Sequence, residues 1–142
     1  MNIPFDIDRL NLTEHQREAV TTTEGPLLVF AGAGSGKTRV ITARIVYLIG
    51  VKGVSPAEIL AVTFTNKAAR EMRERAGALL GDPAVARQVT ICTFHALGLM
   101  ILKREHAVIG YPRNFVVYSP YEQVELLKKV MDEEHVSRDQ YS

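Results

Sequence analysis

Residues 31–38 read Ala31-Gly32-Ala33-Gly34-Ser35-Gly36-Lys37-Thr38, and this stretch decides how the rest of the chain is read. It follows an apolar run, Leu27-Leu28-Val29-Phe30, delivered by a Gly25-Pro26 turn, and it runs directly into a helical pattern from Lys37 to about Ile49. Strand, glycine-rich turn and helix in that order form a phosphate-binding loop. Gly32, Gly34 and Gly36 lack a Cβ, so the backbone can turn tightly and bring its N–H groups against phosphate oxygens. Lys37 supplies an ammonium for the β and γ phosphates, and Thr38 supplies a hydroxyl for Mg²⁺. The positive end of the following helix points at the same anion. The first position of the usual pattern is glycine, and here it is Ala31. A dinucleotide fingerprint fits less well, because its third glycine is missing and Lys-Thr follows instead.

Working outward, two further strand-then-helix units come after the loop. Ile59–Phe64 reads as a buried strand, followed by a helix from about Asn66 to Leu80 that stops at Gly81-Asp82-Pro83. Val89–Thr93 reads as another, followed by a helix from about Phe94 to His106. Apolar strands alternating with helices predict an α/β fold with a parallel sheet covered on both faces. Ser55-Pro56-x-Glu58 and Ser119-Pro120-x-Glu122 both read as capping boxes with proline at the first helical position. Tyr111-Pro112 interrupts the pattern; an extended piece, Phe115–Tyr118, then leads into an amphipathic helix from Tyr121 to about Glu134. The expected organisation is one unit over 1–110 and the start of a helical subdomain over 111–142.

The totals set bounds. With 142 residues the chain can bury a proper core, and 46% apolar against 23% charged residues is the balance of an ordinary globular protein. A net charge of +1 neither requires nor excludes nucleic acid, since a local stripe can hide in a neutral total. Cys92 is the single cysteine, which rules out a disulfide framework and fits a reducing compartment. No apolar stretch approaches a membrane span and no signal peptide opens the chain, so a cytoplasmic setting is expected.

Four strings, in order, carry a family resemblance: Leu10–Ala19 with Gln16 at its centre, Ala31–Arg39, Ala61–Ala69, and Thr90–Leu97. Together they resemble the N-terminal portion of the UvrD/Rep/PcrA-type superfamily 1 DNA helicases over essentially the whole chain. Alanine at the first loop position is usual in that family. The resemblance implies a partial RecA-like P-loop NTPase domain, with ATP and Mg²⁺ as cofactors and single-stranded DNA and duplex junctions as partners. It implies an ATP-dependent helicase or 3′-to-5′ translocase, acting in repair or replication. By the same resemblance Gln16 reads the adenine edge and Arg39 lies near the nucleotide. The resemblance also implies DNA contact by Phe64, Thr65, Asn66, Thr93 and His95, with Phe64 stacking on a base and Thr65, Asn66 and Lys67 suited to the sugar-phosphate backbone. On its own, Thr13-x-x-Gln16 is a capping box. Two rival readings remain at this point, a helicase–nuclease subunit of the recombination type and a P-loop module or kinase that never meets DNA.

Two further expectations concern charge. Lys67, Arg70, Arg73 and Arg75, interleaved with Glu71 and Glu74, read as a solvated helix face laced with ion pairs. Asp132-Glu133-Glu134-His135 imitates a Mg²⁺-binding Asp-Glu box but ends a helix rather than an apolar strand, so it reads as a charged helix end. With no strand-end carboxylate elsewhere, the chain is expected to be a fragment that does not hydrolyse ATP and that self-associates through open sheet edges.

Overall fold

A computed structural model describes residues 6–32 and 34–137, which fall into two compact units that divide between Met100 and Ile101. In the first unit, a 3-10 turn over Ile7–Leu10 leads to helix α1, Glu14–Thr21. Its start is a full capping box. The Thr13 hydroxyl accepts from the Gln16 N–H at 3.3 Å, and Gln16 Oε1 accepts from the Thr13 N–H at 3.1 Å. Helix α2, Lys37–Gly50, buries Thr42, Ile45, Val46 and Ile49, the spacing of one helical stripe. The buried Thr42 hydroxyl is satisfied by donating to the Thr38 carbonyl at 2.7 Å.

Strand β1, Leu60–Thr63, is followed by helix α3, Asn66–Leu80, with Thr65 as its cap and Gly81, at φ 68°, as its left-handed stop. Helix α4, Pro83–Gln88, starts on an Asp82 cap with proline at the first position, and strand β2, Thr90–Thr93, comes next. The strands are parallel, in register from Leu60 opposite Thr90 to Thr63 opposite Thr93. Helix α5, Phe94–Glu105, begins at once. Ala61 and Ile91 point into the core, where they join Ile45, Val46 and Ile49 of α2, Ala69, Met72, Ala76 and Leu80 of α3, and Val85 and Ala86 of α4. Gly77 lets α3 and α4 touch, since a Cβ there would stand 3.3 Å from Pro83 Cα.

Four details differ from the sequence reading. Residues 27–32 form no strand, and Leu28 and Phe30 are 77% and 90% exposed. An apolar run becomes a strand only through a hydrogen-bonded neighbour, and here β1 and β2 pair with each other in a two-stranded sheet. Nor are both sheet faces closed: Val62 and Cys92, which alternate away from the core, are only half-buried. Ser55 makes no side-chain cap, because Pro56–Glu58 is a single 3-10 turn that must straighten at buried Ile59 to enter β1. Finally, among the described residues α3 carries no ion pair. Arg73 instead donates to the Ile91 carbonyl of β2, so it ties the helix to the sheet.

In the second unit the end of α5 turns at His106, whose Nδ1 lies 3.0 Å from the Tyr111 carbonyl, and the Tyr111 and Phe115 rings meet edge-on at 5.6 Å. Residues 116–119 have no regular structure. Helix α6, Pro120–Glu133, starts on the expected capping box: the Ser119 N–H donates to Glu122 Oε2 at 2.7 Å, and the Ser119 hydroxyl accepts from the Glu122 N–H at 3.3 Å. Lys128–Glu125 and Lys129–Glu133 pairs line its surface. The 132–135 segment closes this helix, with His135 in the left-handed region at φ 55°.

Candidate nucleotide site and nucleic-acid interface

The loop between residue 31 and α2 is shaped by two left-handed glycines, Gly34 at φ 75° and Gly36 at φ 83°, the latter being the N-cap of α2. These are the two loop positions where glycine is required by backbone conformation. Ser35 closes the turn by donating its hydroxyl to the Gly32 carbonyl at 2.8 Å. Lys37 folds back over the loop, its ammonium donating to the carbonyls of Ala31 at 3.1 Å and Gly32 at 2.7 Å. A cation is thereby held over the first turn of a helix whose leading N–H groups have no intrahelical acceptor. Ala33 lies outside the described residues. Thr38 is half-buried in the first turn of α2.

Beside the loop is a cavity of about 640 Å³. Ala31, Gly32, Ser35 and Lys37 form one side of it, His15, Gln16 and Ala19 of α1 another, Leu27, Val29 and Phe30 a third, and Val40, Ile41 and Arg44 of α2 the rest. Gln16 joins two of these sides. While its Oε1 completes the helix cap, its Nε2 donates to the Ser35 carbonyl at 3.0 Å. Each end of the amide has further capacity, one N–H and one lone pair, for a ligand edge. Arg39 turns away toward the N-terminal segment, donating to the carbonyls of Leu10 and Asn11. Sequence reasoning misses Arg44, which ties α2 to the end of α1 through the Ala19 and Thr22 carbonyls, at 2.6 and 2.5 Å. The signal is there in outline, since Lys37, Ile41 and Arg44 share one helical face.

The second cluster stands where the two strands end. Phe64 directly follows β1 and is 85% exposed; Phe94 directly follows β2 and is 52% exposed. Their ring centroids are 5.3 Å apart, tilted by 47°. Thr65 and Thr93 have matching local duties: the Thr65 hydroxyl accepts from the Ala68 N–H and the Thr93 hydroxyl from the Ala96 N–H, both at 3.1 Å. Thr93 is buried, while Asn66, Lys67 and His95 are exposed on the first turns of α3 and α5. Phe94 lies inside the second segment that the sequence marks for DNA contact, and the Thr-Phe pair repeated at both strand ends is the signal of its pairing with Phe64. No helix among the described residues is long and apolar enough to cross a membrane, and no group of three or more metal-ligating side chains occurs among them.

A glycine-rich loop beside a cavity, with exposed aromatic rings at the carboxyl ends of two parallel strands, makes this an α/β protein whose candidate site lies at its loops and strand ends. The sequence profile of the UvrD/REP helicase N-terminal domain matches residues 12–142, and the chain belongs to that family. It is 52% identical over 130 residues to the ATP-dependent DNA helicase PcrA of Leuconostoc citreum, which covers 92% of this chain and 17% of that relative. It is 51% identical over 126 residues to the PcrA of Staphylococcus aureus and 50% identical over 126 residues to that of Staphylococcus epidermidis, in each case over 89% of this chain and 17% of the relative. The chain thus spans about a sixth of the length of the curated relatives it matches.

Proposed function

We propose that the full-length protein carrying this chain is an ATP-dependent DNA helicase that moves 3′ to 5′ along single-stranded DNA. Residues 1–110 are read as the first half of its N-terminal RecA-like motor domain and 111–142 as the start of an inserted helical subdomain. The observation that carries the reading is Phe64, an aromatic ring 85% exposed at the end of a strand in the same unit as the phosphate-type loop. A large exposed apolar ring has a solvation cost, and stacking on a base removes it without demanding a particular sequence.

In this reading the loop N–H groups and Lys37 neutralise the phosphates of ATP, and Gln16 lies at the nucleoside end, while Arg39 braces the Leu10–Asn11 segment that leads into α1. The donor chemistry fits a Mg-nucleotide: a hydroxyl at Thr38, an ammonium at Lys37 that donates to neutral carbonyls, and a Gly36 whose absent Cβ would stand 3.2 Å from Gln16 Nε2. Mg²⁺ held by Thr38 and the phosphates would neutralise charge on the transferring phosphoryl group. Phe64, Thr65, Asn66 and His95 form the DNA track, with buried Thr93 capping α5 behind it, in a protein working at the nucleoid of the cytoplasm.

The test is ATP turnover by the full-length protein, with and without oligothymidylate. Strong DNA stimulation that Phe64→Ala blunts, on a background that Lys37→Ala abolishes, is the expected result. Turnover indifferent to DNA would sink the helicase reading and leave only a nucleotide site.

A further inference from the structure

We infer that Phe94 is a positioning residue for DNA: it backs the ring of Phe64 and holds that ring's outer face toward a base. The inference rests on the helicase reading above and adds a residue to it. Its origin is the register of the sheet. Thr63 stands opposite Thr93, so the next residue of each strand, Phe64 and Phe94, leaves the sheet at neighbouring points. Parallel strands lie about 4.8 Å apart, and the ring centroids stand 5.3 Å apart, so the side chains run out side by side.

Geometry excludes the simpler alternative of two rings clamping a base between them. A base stacked on both sides needs a gap of about 7 Å between the rings, twice the usual contact distance. These rings are already in contact, tilted by 47°, a favourable arrangement for an aromatic pair. The more buried member is Phe94, at 52% exposure against 85% for Phe64. So Phe94 is the support and Phe64 offers the free face. Both rings also rise from fixed backbone, because the hydroxyls of Thr65 and Thr93 cap α3 and α5. The remaining freedom is the rotation of Phe64 about its own side-chain bonds, and contact with Phe94 restricts it. A base then meets an ordered ring, and less entropy is lost on stacking.

The experiment measures the affinity of the full-length protein for a fluorescently labelled oligothymidylate by anisotropy, in a double-mutant cycle. Phe64→Ala is expected to weaken binding about tenfold, the size of one lost stacking contact. Phe94→Leu and Phe94→Met keep apolar bulk but remove the ring, and each is expected to weaken binding about threefold to fivefold; Phe94→Tyr is expected to stay within about twofold. In the Phe64→Ala background, Phe94→Leu is expected to add nothing, because the ring it supports is gone. An additive loss in that background would make Phe94 merely structural and overturn the inference. Loss with Phe64→Ala but none with either Phe94 variant would also overturn it while leaving the helicase reading intact. No loss with Phe64→Ala would bring down both.

Discussion

Gln16 shows how one side chain can serve folding and a ligand at once. Its amide caps α1 with one end and holds the Ser35 carbonyl of the glycine-rich loop with the other. Gln16→Ala removes both bonds and is expected to cost about 1 to 2 kcal/mol in thermal unfolding, besides weakening nucleotide binding. Gln16→Glu separates the two duties, because a carboxylate still accepts from Thr13 but cannot donate to Ser35. It is expected to preserve most of the stability and to lose nucleotide affinity, which titration with a fluorescent ATP analogue would register. Gly36 is the stricter position. Its φ is 83°, and a Cβ there would stand 3.2 Å from Gln16 Nε2. Gly36→Ala is therefore expected to destabilise the loop by about 1 to 2 kcal/mol. A nucleotide affinity unchanged in Gly36→Ala would show that the loop tolerates a different backbone course.

At the scale of elements, ties between helix and sheet matter more than surface ion pairs. Arg73 carries a charged donor from α3 to the Ile91 carbonyl of β2, and Arg73→Met is expected to cost about 1.5 to 3 kcal/mol in chemical denaturation. By contrast, Lys129→Ala, which removes an exposed pair of α6, is expected to change stability by less than about 0.5 kcal/mol. The start of α6 adds a pH dependence. The Ser119 hydroxyl, with its backbone N–H, holds the Glu122 carboxyl below its ordinary value of 4.5. A lowered folded value means that the helix gains support above pH 4.5 and loses it as pH falls through the folded value. Circular dichroism of Ser119→Ala should therefore show less helix than the parent chain at pH 7 and a smaller further loss on acidification.

At the scale of the whole molecule, β1 and β2 end in Thr63 and Thr93, and neither strand delivers a carboxylate at its end. The 142-residue chain by itself is therefore expected to show no ATP turnover, and a rate abolished by Lys37→Ala would refute that. Much of the architecture was legible because it is written locally. Thr65 and Gly81 mark the ends of α3, and Gly36-Lys37 marks the start of α2, through caps and glycines that act within a few residues. What was not legible depends on partners distant in sequence. Leu27–Phe30 has the composition of a strand but lacks a neighbour to pair with, and Arg73 finds a carbonyl on another element rather than a carboxylate on its own helix. The loop residues were legible as types. The hold of Gln16 on Ser35 and the meeting of Phe64 with Phe94 belong to the assembled fold.

The parallel register of β1 and β2 has a consequence for how this sequence can change over time. Moving either strand by one residue would carry its phenylalanine a step along the sheet and to the opposite face, parting the two rings while leaving every side chain intact. Insertions at exposed Gly81, between α3 and α4, leave that alignment untouched, whereas a single deletion inside a strand destroys it. Drift in length is thus open to the connections and closed to the strands, and the aromatic pair is inherited as a matter of counting as much as of chemistry.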